Sequence, residues 1–122
     1  ADFLILLAPY SLETDNLINA AVLAAMKPTA ILINLSRGGL CDEDALLDAL
    51  RNKRIAGAGL DVFRTEPLPP DSPFWDLDNV SITAHCSGSS DDNLLLMWPI
   101  IETNMRCFLG HRCAEMVNLV PH

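Results

Sequence analysis

At 122 residues the chain has the size of one domain, and with half of its residues hydrophobic it can bury a real core. Eight basic against sixteen acidic residues give a net charge of -8, which argues against nucleic acid as a partner, because phosphate binding needs a basic face and none is clustered here. The longest apolar stretch, Leu94 to Ile101, is too short to span a bilayer and contains Pro99, so no membrane segment is expected.

The four cysteines, Cys41, Cys86, Cys107 and Cys113, form no C-x-x-C pair. A zinc site with His85, His111 or His122 has no supporting ligand spacing, so no metal is expected and unpaired thiols of a cytoplasmic protein are the better reading. The chain starts at Ala1-Asp2 without Met, directly before an apolar run and without a signal-peptide pattern, as a piece of a longer protein would.

In chain order, Phe3 to Leu7 reads as a strand buried on both faces, ended by Pro9. Asn19 caps a short helix from Ala20 to Met26, and Lys27-Pro28 stops it. A second strand runs from Ala30 to Asn34. Ser36-Arg37-Gly38-Gly39 is a turn, its glycines allowing a sharp reversal. Asp42 caps the next helix, with Glu43 and Asp44 in the first turn against the helix dipole and Leu46, Leu47 and Leu50 on its apolar face.

A third strand, Gly57 to Val62, precedes a connection carrying Pro67, Pro69, Pro70 and Pro73, too many for a helix or a central strand. Phe74, Trp75 and Leu77 are expected to pin that connection to the body. A fourth strand reaches Thr83, and a Gly/Ser turn carries His85 to Ser90. The last helix has Leu94, Trp98, Ile101, Met105 and Phe108 on one face, and Pro99 should kink it or restart it. Trp75 and Trp98 read as core. The tail from Gly110 to His122 carries no clear signal, and His111 and His122 are expected to be solvated.

The order β-α-β-α-β-loop-β-α calls for an α/β fold, a Rossmann-like parallel sheet with crossover helices. Strands that run parallel share a carboxyl edge, outside which ligands of open α/β sheets bind. Arg37, Glu66 and His85 each fall just beyond a strand. A guanidinium stays charged and offers a planar fork for a carboxylate, and an imidazole ordinarily titrates near neutrality and can carry a proton. Glu66 can orient His85 and favour its charged form. For each of the three taken alone, a solvated or turn-bound side chain is the alternative. Asp61 lies in an apolar run, where an unpaired carboxylate is costly; it either reaches a ligand at the sheet edge or caps local amides. Cys86 beside His85 lacks the rest of a cysteine-hydrolase arrangement, so packing or chance accounts for it.

These residues carry a resemblance. Ala1 to Pro9, Thr14 to Asn19, Met26-Lys-Pro28, Ile33-Asn-Leu-Ser-Arg-Gly-Gly39, Ala56-Gly-Ala-Gly-Leu-Asp-Val-Phe63, Glu66-Pro67, Pro73-Phe-Trp75, Asn79-Val80 and Thr83-Ala-His85 stand in order and at spacing similar to the D-2-hydroxyacid dehydrogenases. The resemblance implies that Arg37 holds the substrate's carboxylate and carbonyl. It implies that His85 exchanges a proton with the keto or hydroxyl oxygen, and that Glu66 pairs with His85. Pro9, Thr14, Ser36, Arg37, Asp61, His85 and Gly88 would line an NAD or NADP cofactor, with Asp61 at the nicotinamide carboxamide. A small 2-hydroxy or 2-keto acid would be the substrate, and a cytoplasmic homodimer the working form.

Ala84 departs from the family's proline before the histidine. No G-x-G-x-x-G occurs, so residues 1–90 read as the second half of a dinucleotide-binding domain and 91–122 as a closing helix and tail. The isolated piece is expected to lack activity and, with one edge of the sheet bare, to self-associate. The alternative is a non-catalytic dinucleotide-sensing scaffold, as in related corepressors.

Overall fold

The computed structural model describes residues 1–119; His122 lies outside them. Four short parallel strands form one sheet in the order β1-β2-β3-β4: β1 is Phe3–Leu6, β2 Ile31–Asn34, β3 Gly57–Leu60 and β4 Val80–Ile82. The register pairs Phe3 with Ile31, Ile31 with Gly57, and Ala58 with Val80, so all four carboxyl ends lie along one edge. This is the α/β arrangement expected. Helix α1, Ala20–Ala25, joins β1 to β2, and α2, Glu43–Arg51, joins β2 to β3.

Local hydrogen bonds start both helices where the caps were expected. The Asn19 side chain accepts the amides of Ala21 and Val22, and the Asp42 side chain accepts that of Ala45. Each relieves otherwise unpaired first-turn amides, an effect of about 1 kcal/mol per cap. Leu23 of α1 and Leu46, Leu47 and Leu50 of α2 pack with Leu6, Leu32, Ala58 and Leu60 in a single apolar core. The helices thus cover one face of the sheet.

β1 departs from the expectation of burial on both faces. Leu6 is buried, but Phe3 and Ile5, which alternate with it, are more than half exposed, and so is Leu7 just beyond the strand. A run apolar on both faces records what a strand tolerates, not what covers it. Among the described residues β1 and β4 are the two edges of the sheet, each paired on one side.

The segment after β3 is held by Phe74, which is buried and meets the Phe63 ring at 5.6 Å between centroids, and by the half-buried Leu77. Trp75 is not core: it is 51 % exposed, and its indole N–H donates to the Pro69 carbonyl at 2.8 Å. An indole that finds a partner in its own loop needs no burial.

Among the described residues, 1–88 and those from 89 to 119 form separate units. In the second, α3 runs unbroken from Asn93 to Leu109 through Pro99. Trp98, also expected in the core, is 57 % exposed, and Leu94, Met105 and Phe108 of the same face are exposed with it. Asn104 ties α3 to the following segment, donating to the Val117 carbonyl at 2.9 Å and accepting its amide at 2.8 Å. No helix among the described residues is long and apolar enough to cross a membrane.

Candidate active site

Each strand end of the first unit delivers one part of the site. Beyond β2, the side chain of the buried Asn34 shapes the turn: its amide nitrogen donates to the Arg37 carbonyl at 3.0 Å, and its oxygen accepts the Ser36 N–H at 3.2 Å. The Ser36 hydroxyl donates to the Ala8 carbonyl, fastening this turn to the end of β1. Gly38 begins a single 3-10 turn, Gly38–Leu40. Neither glycine of the turn has a positive φ, so sharp reversal is not what they provide. Gly38 is required by contact, since a Cβ there would stand 2.0 Å from the Phe63 carbonyl carbon, and one on Gly39 would meet the Tyr10 ring at 2.5 Å.

Beyond β3, Asp61 is 2 % exposed and caps the loop that follows β4. Its carboxylate accepts the Cys86 amide at 2.9 Å, the Ser87 amide at 3.0 Å and the Thr83 hydroxyl. Burial alone would raise its pKa, but the Ser87 and Thr83 side chains and these amides outweigh that and hold it well below the ordinary carboxylate range. Of the two roles open to Asp61, the capping one is therefore seen, although it also lines a cavity.

His85 sits in that capped loop with φ 52, a left-handed conformation that histidine adopts more readily than most residues, and its amide donates to the Asp61 carbonyl at 2.8 Å. Nδ1 of its ring lies 2.8 Å from Oε2 of Glu66. The other oxygen of Glu66 accepts the Phe63 amide at 2.9 Å. The His85 contact first, then the Phe63 amide, lowers the Glu66 pKa. An ionised carboxylate only accepts, so Nδ1 bears a proton, and Nε2 is the ring nitrogen not bonded to Glu66.

Two neighbouring cavities share Phe63 as a wall. One, of about 660 Å³, is lined by Pro9, Tyr10, Ser36, Arg37, Gly39 and Arg64. The other, of about 560 Å³, is lined by Asp61, Glu66, Ile82, Ala84 and His85 among others. Glu66 and His85 thus meet directly, while Arg37 opens on the adjoining cavity, its Nη1 donating to the Ser36 carbonyl at 2.7 Å. Thr14 does not line either cavity; its hydroxyl donates to the Pro9 carbonyl at 3.0 Å and holds that residue at the rim. A Cβ on Gly88 would meet nothing within 4 Å, so the loop is open there.

Two participants had no sequence signal strong enough to single them out. Asn34 ends an apolar run as an ordinary polar residue would. Arg64 sits in a loop, yet its guanidinium reaches Asp15 at 2.9 Å, Asn16 at 2.6 Å and the Gly39 carbonyl at 3.0 Å. Cys86 donates its amide to Asp61 while its side chain stays exposed, and none of the four thiols is bonded to another.

Comparison with known proteins agrees with this architecture. Residues 1–87 match the family model "D-isomer specific 2-hydroxyacid dehydrogenase, NAD binding domain". Glyoxylate/hydroxypyruvate reductase B of Pectobacterium carotovorum is 51 % identical over 92 residues, 75 % of this chain and 29 % of that protein. D-3-phosphoglycerate dehydrogenase of Methanocaldococcus jannaschii is 38 % identical over all 122 residues, 23 % of its own length. The chain therefore spans less than half the length of these curated relatives. Among solved structures, a D-isomer specific 2-hydroxyacid dehydrogenase from Xanthobacter autotrophicus Py2 in complex with NADPH and MES superposes with a TM-score of 0.83 at 37 % identity, covering 99 % of this chain and 48 % of that one. A parallel sheet with its polar residues gathered at one edge and an NAD-binding-domain match over 87 residues lead to one statement: the chain belongs to the D-isomer specific 2-hydroxyacid dehydrogenase family.

Proposed function

We propose that this chain carries the proton-transfer and carboxylate-binding groups of an NAD(P)-dependent 2-hydroxyacid dehydrogenase, working in a cytoplasmic homodimer. The observation that carries the reading is the 2.8 Å contact between Nδ1 of His85 and Glu66, which leaves Nε2 as the other ring nitrogen of a residue that lines a cavity next to that of Arg37.

Arg37 holds the carboxylate of a small 2-keto acid through its planar donors. His85 gives the proton on Nε2 to the keto oxygen as that carbon is reduced, and takes it back in the oxidative direction. Glu66 fixes the ring orientation and bears the charge that balances an imidazolium. The family's relatives include reductases named for glyoxylate and hydroxypyruvate, and these are the substrate class proposed here.

The donor set fits the reactive end of a nicotinamide nucleotide, which when bound supplies or accepts the hydride. Pro9 and Tyr10 offer an apolar wall, Ser36 and Arg37 a polar one, and Asp61 and Gly88 lie on the loops beyond. Solved neighbours at 31 and 37 % identity hold NADPH, which supports the same class of cofactor. Residues 1–122 contain no G-x-G-x-x-G to cradle a pyrophosphate, so the piece alone is inactive.

The test is steady-state reduction of glyoxylate and hydroxypyruvate by the full-length protein with NADH and NADPH, beside His85→Ala. We expect the variant to lose about 10²- to 10⁴-fold in kcat. Full-length protein without turnover on either acid, or a variant as fast as the parent, overturns the proposal and leaves the non-catalytic scaffold standing.

A further inference from the structure

Two arginines line the 660 Å³ cavity, and their side chains are held differently. Arg37 forms no ion pair with a carboxylate among the described residues, the one hydrogen bond of its guanidinium being to the Ser36 carbonyl. Arg64 is engaged through Nη2 and Nε. Its Nη2 serves Asp15, Asn16 and the Gly39 carbonyl, and its Nε donates to the Cys41 carbonyl at 3.3 Å. Its own backbone amide donates to Glu43 at 2.7 Å.

These bonds join three segments distant in sequence: the loop after β1, the turn after β2 and the start of the loop after β3. The first two are already laced together, because the Asn16 amide donates to the Gly39 carbonyl and the Ile18 amide to the Leu40 carbonyl, each at 2.9 Å. Arg64 adds the third segment, and it also neutralises a carboxylate. Asp15 accepts both Arg64, at 2.9 Å, and the Tyr10 hydroxyl, at 3.1 Å. Tyr10 is itself a cavity wall, lying against Gly39 two residues from Arg37. Without Arg64, Asp15 would stand as an unbalanced negative charge behind Tyr10, a wall of the cavity that on the proposed reading admits an anion.

We infer that Arg64 is a positioning residue for anion binding: by pairing with Asp15 it cancels the repulsion from the carboxylate behind the cavity wall and holds the Arg37 turn against the Tyr10 loop. The inference rests on the dehydrogenase reading above. It concerns substrate affinity, not the proton step, so its signature is in KM.

In the full-length enzyme, Arg64→Ala should raise KM for glyoxylate about fivefold with little change in kcat, the scale of one partly exposed ion pair. Arg64→Lys keeps the charge and should recover most of the loss. Asp15→Asn retains an oxygen to accept from Tyr10 but removes the negative charge, so it should lower KM, a sign that loss of packing does not produce. Asp15→Asn should also rescue the KM of Arg64→Ala. If Arg64→Ala fails to fold, the sign of the Asp15→Asn effect alone decides. An unchanged or raised KM in Asp15→Asn, or a loss in Arg64→Ala confined to kcat, overturns the inference while leaving the dehydrogenase reading intact. If the parent enzyme reduces no 2-keto acid, that reading fails instead. Calorimetric binding of oxalate then reads the same pair, weaker in Arg64→Ala and tighter in Asp15→Asn if the inference holds; the same affinity in both variants overturns it.

Discussion

Oε2 of Glu66 meets Nδ1 of His85 at 2.8 Å while Oε1 of the same carboxylate accepts the Phe63 amide at 2.9 Å, so one side chain fixes both the ring and the strand exit behind it. Glu66→Gln keeps the shape and removes the charge. We expect kcat to fall about tenfold or more with KM nearly unchanged, because the loss falls on the proton step. Steady-state kinetics across a pH series checks this.

The lowered Glu66 pKa also has a stability consequence with a definite sign. Its folded value lies below its unfolded one, so the carboxylate's contribution is complete above the ordinary value of about 4.3 and is lost as the pH falls through the folded value. Urea denaturation of wild type and Glu66→Gln should therefore differ at pH 7 and converge in acid.

Asp61 is the firmer case because it is buried. Asp61→Asn places an amide group against the Cys86 and Ser87 N–H donors, and we expect a loss of about 2 kcal/mol, the scale of an unmet buried hydrogen bond to a charged group. The loop carrying His85 should loosen with it. Since the Asp61 pKa is also lowered on folding, the deficit should be largest near neutrality and shrink below about pH 4. Denaturation midpoints measured from pH 7 downwards test both points.

Gly38→Ala introduces a Cβ that would lie 2.0 Å from the Phe63 carbonyl carbon and 2.3 Å from the Arg64 amide nitrogen, both backbone atoms that cannot swing aside. The turn or the segment after β3 must move, a destabilisation of about 1–3 kcal/mol. Because Arg37 is the preceding residue, KM for the keto acid should rise as well. Thermal melting and steady-state kinetics of one variant measure the two effects together.

The thiols should separate by access. Burial pushes the Cys41 thiol up to about 12, and Cys107 is buried too, whereas Cys86 and Cys113 are exposed. Brief alkylation of the native protein, followed by peptide mass spectrometry, should mark Cys86 and Cys113 and spare the other two.

What could be read from the residues alone follows the range of each interaction. The strands, the Asn19 and Asp42 caps and the placement of Arg37, Glu66 and His85 at strand ends depend on neighbours within a few positions, and local pattern reports them. The Arg64 network does not, because its partners Asp15 and Asn16 lie 49 and 48 residues away. Gly38 misled for the same reason: local chemistry suggests conformational freedom, and the real constraint is the distant Phe63 backbone. Trp75 and Trp98 show the limit of hydrophobicity as a guide, since an indole records a preference for cover without specifying what provides it.

The sheet order is strictly sequential, and each strand is followed by its own loop. On the proposed reading the anion grip therefore belongs to one loop and the acid–imidazole couple to two others, joined mainly at Phe63 and Arg64. Such a division would let selection retune what a dehydrogenase of this build accepts by editing the Arg37 turn, while the groups proposed to shuttle hydrogen ions are inherited untouched.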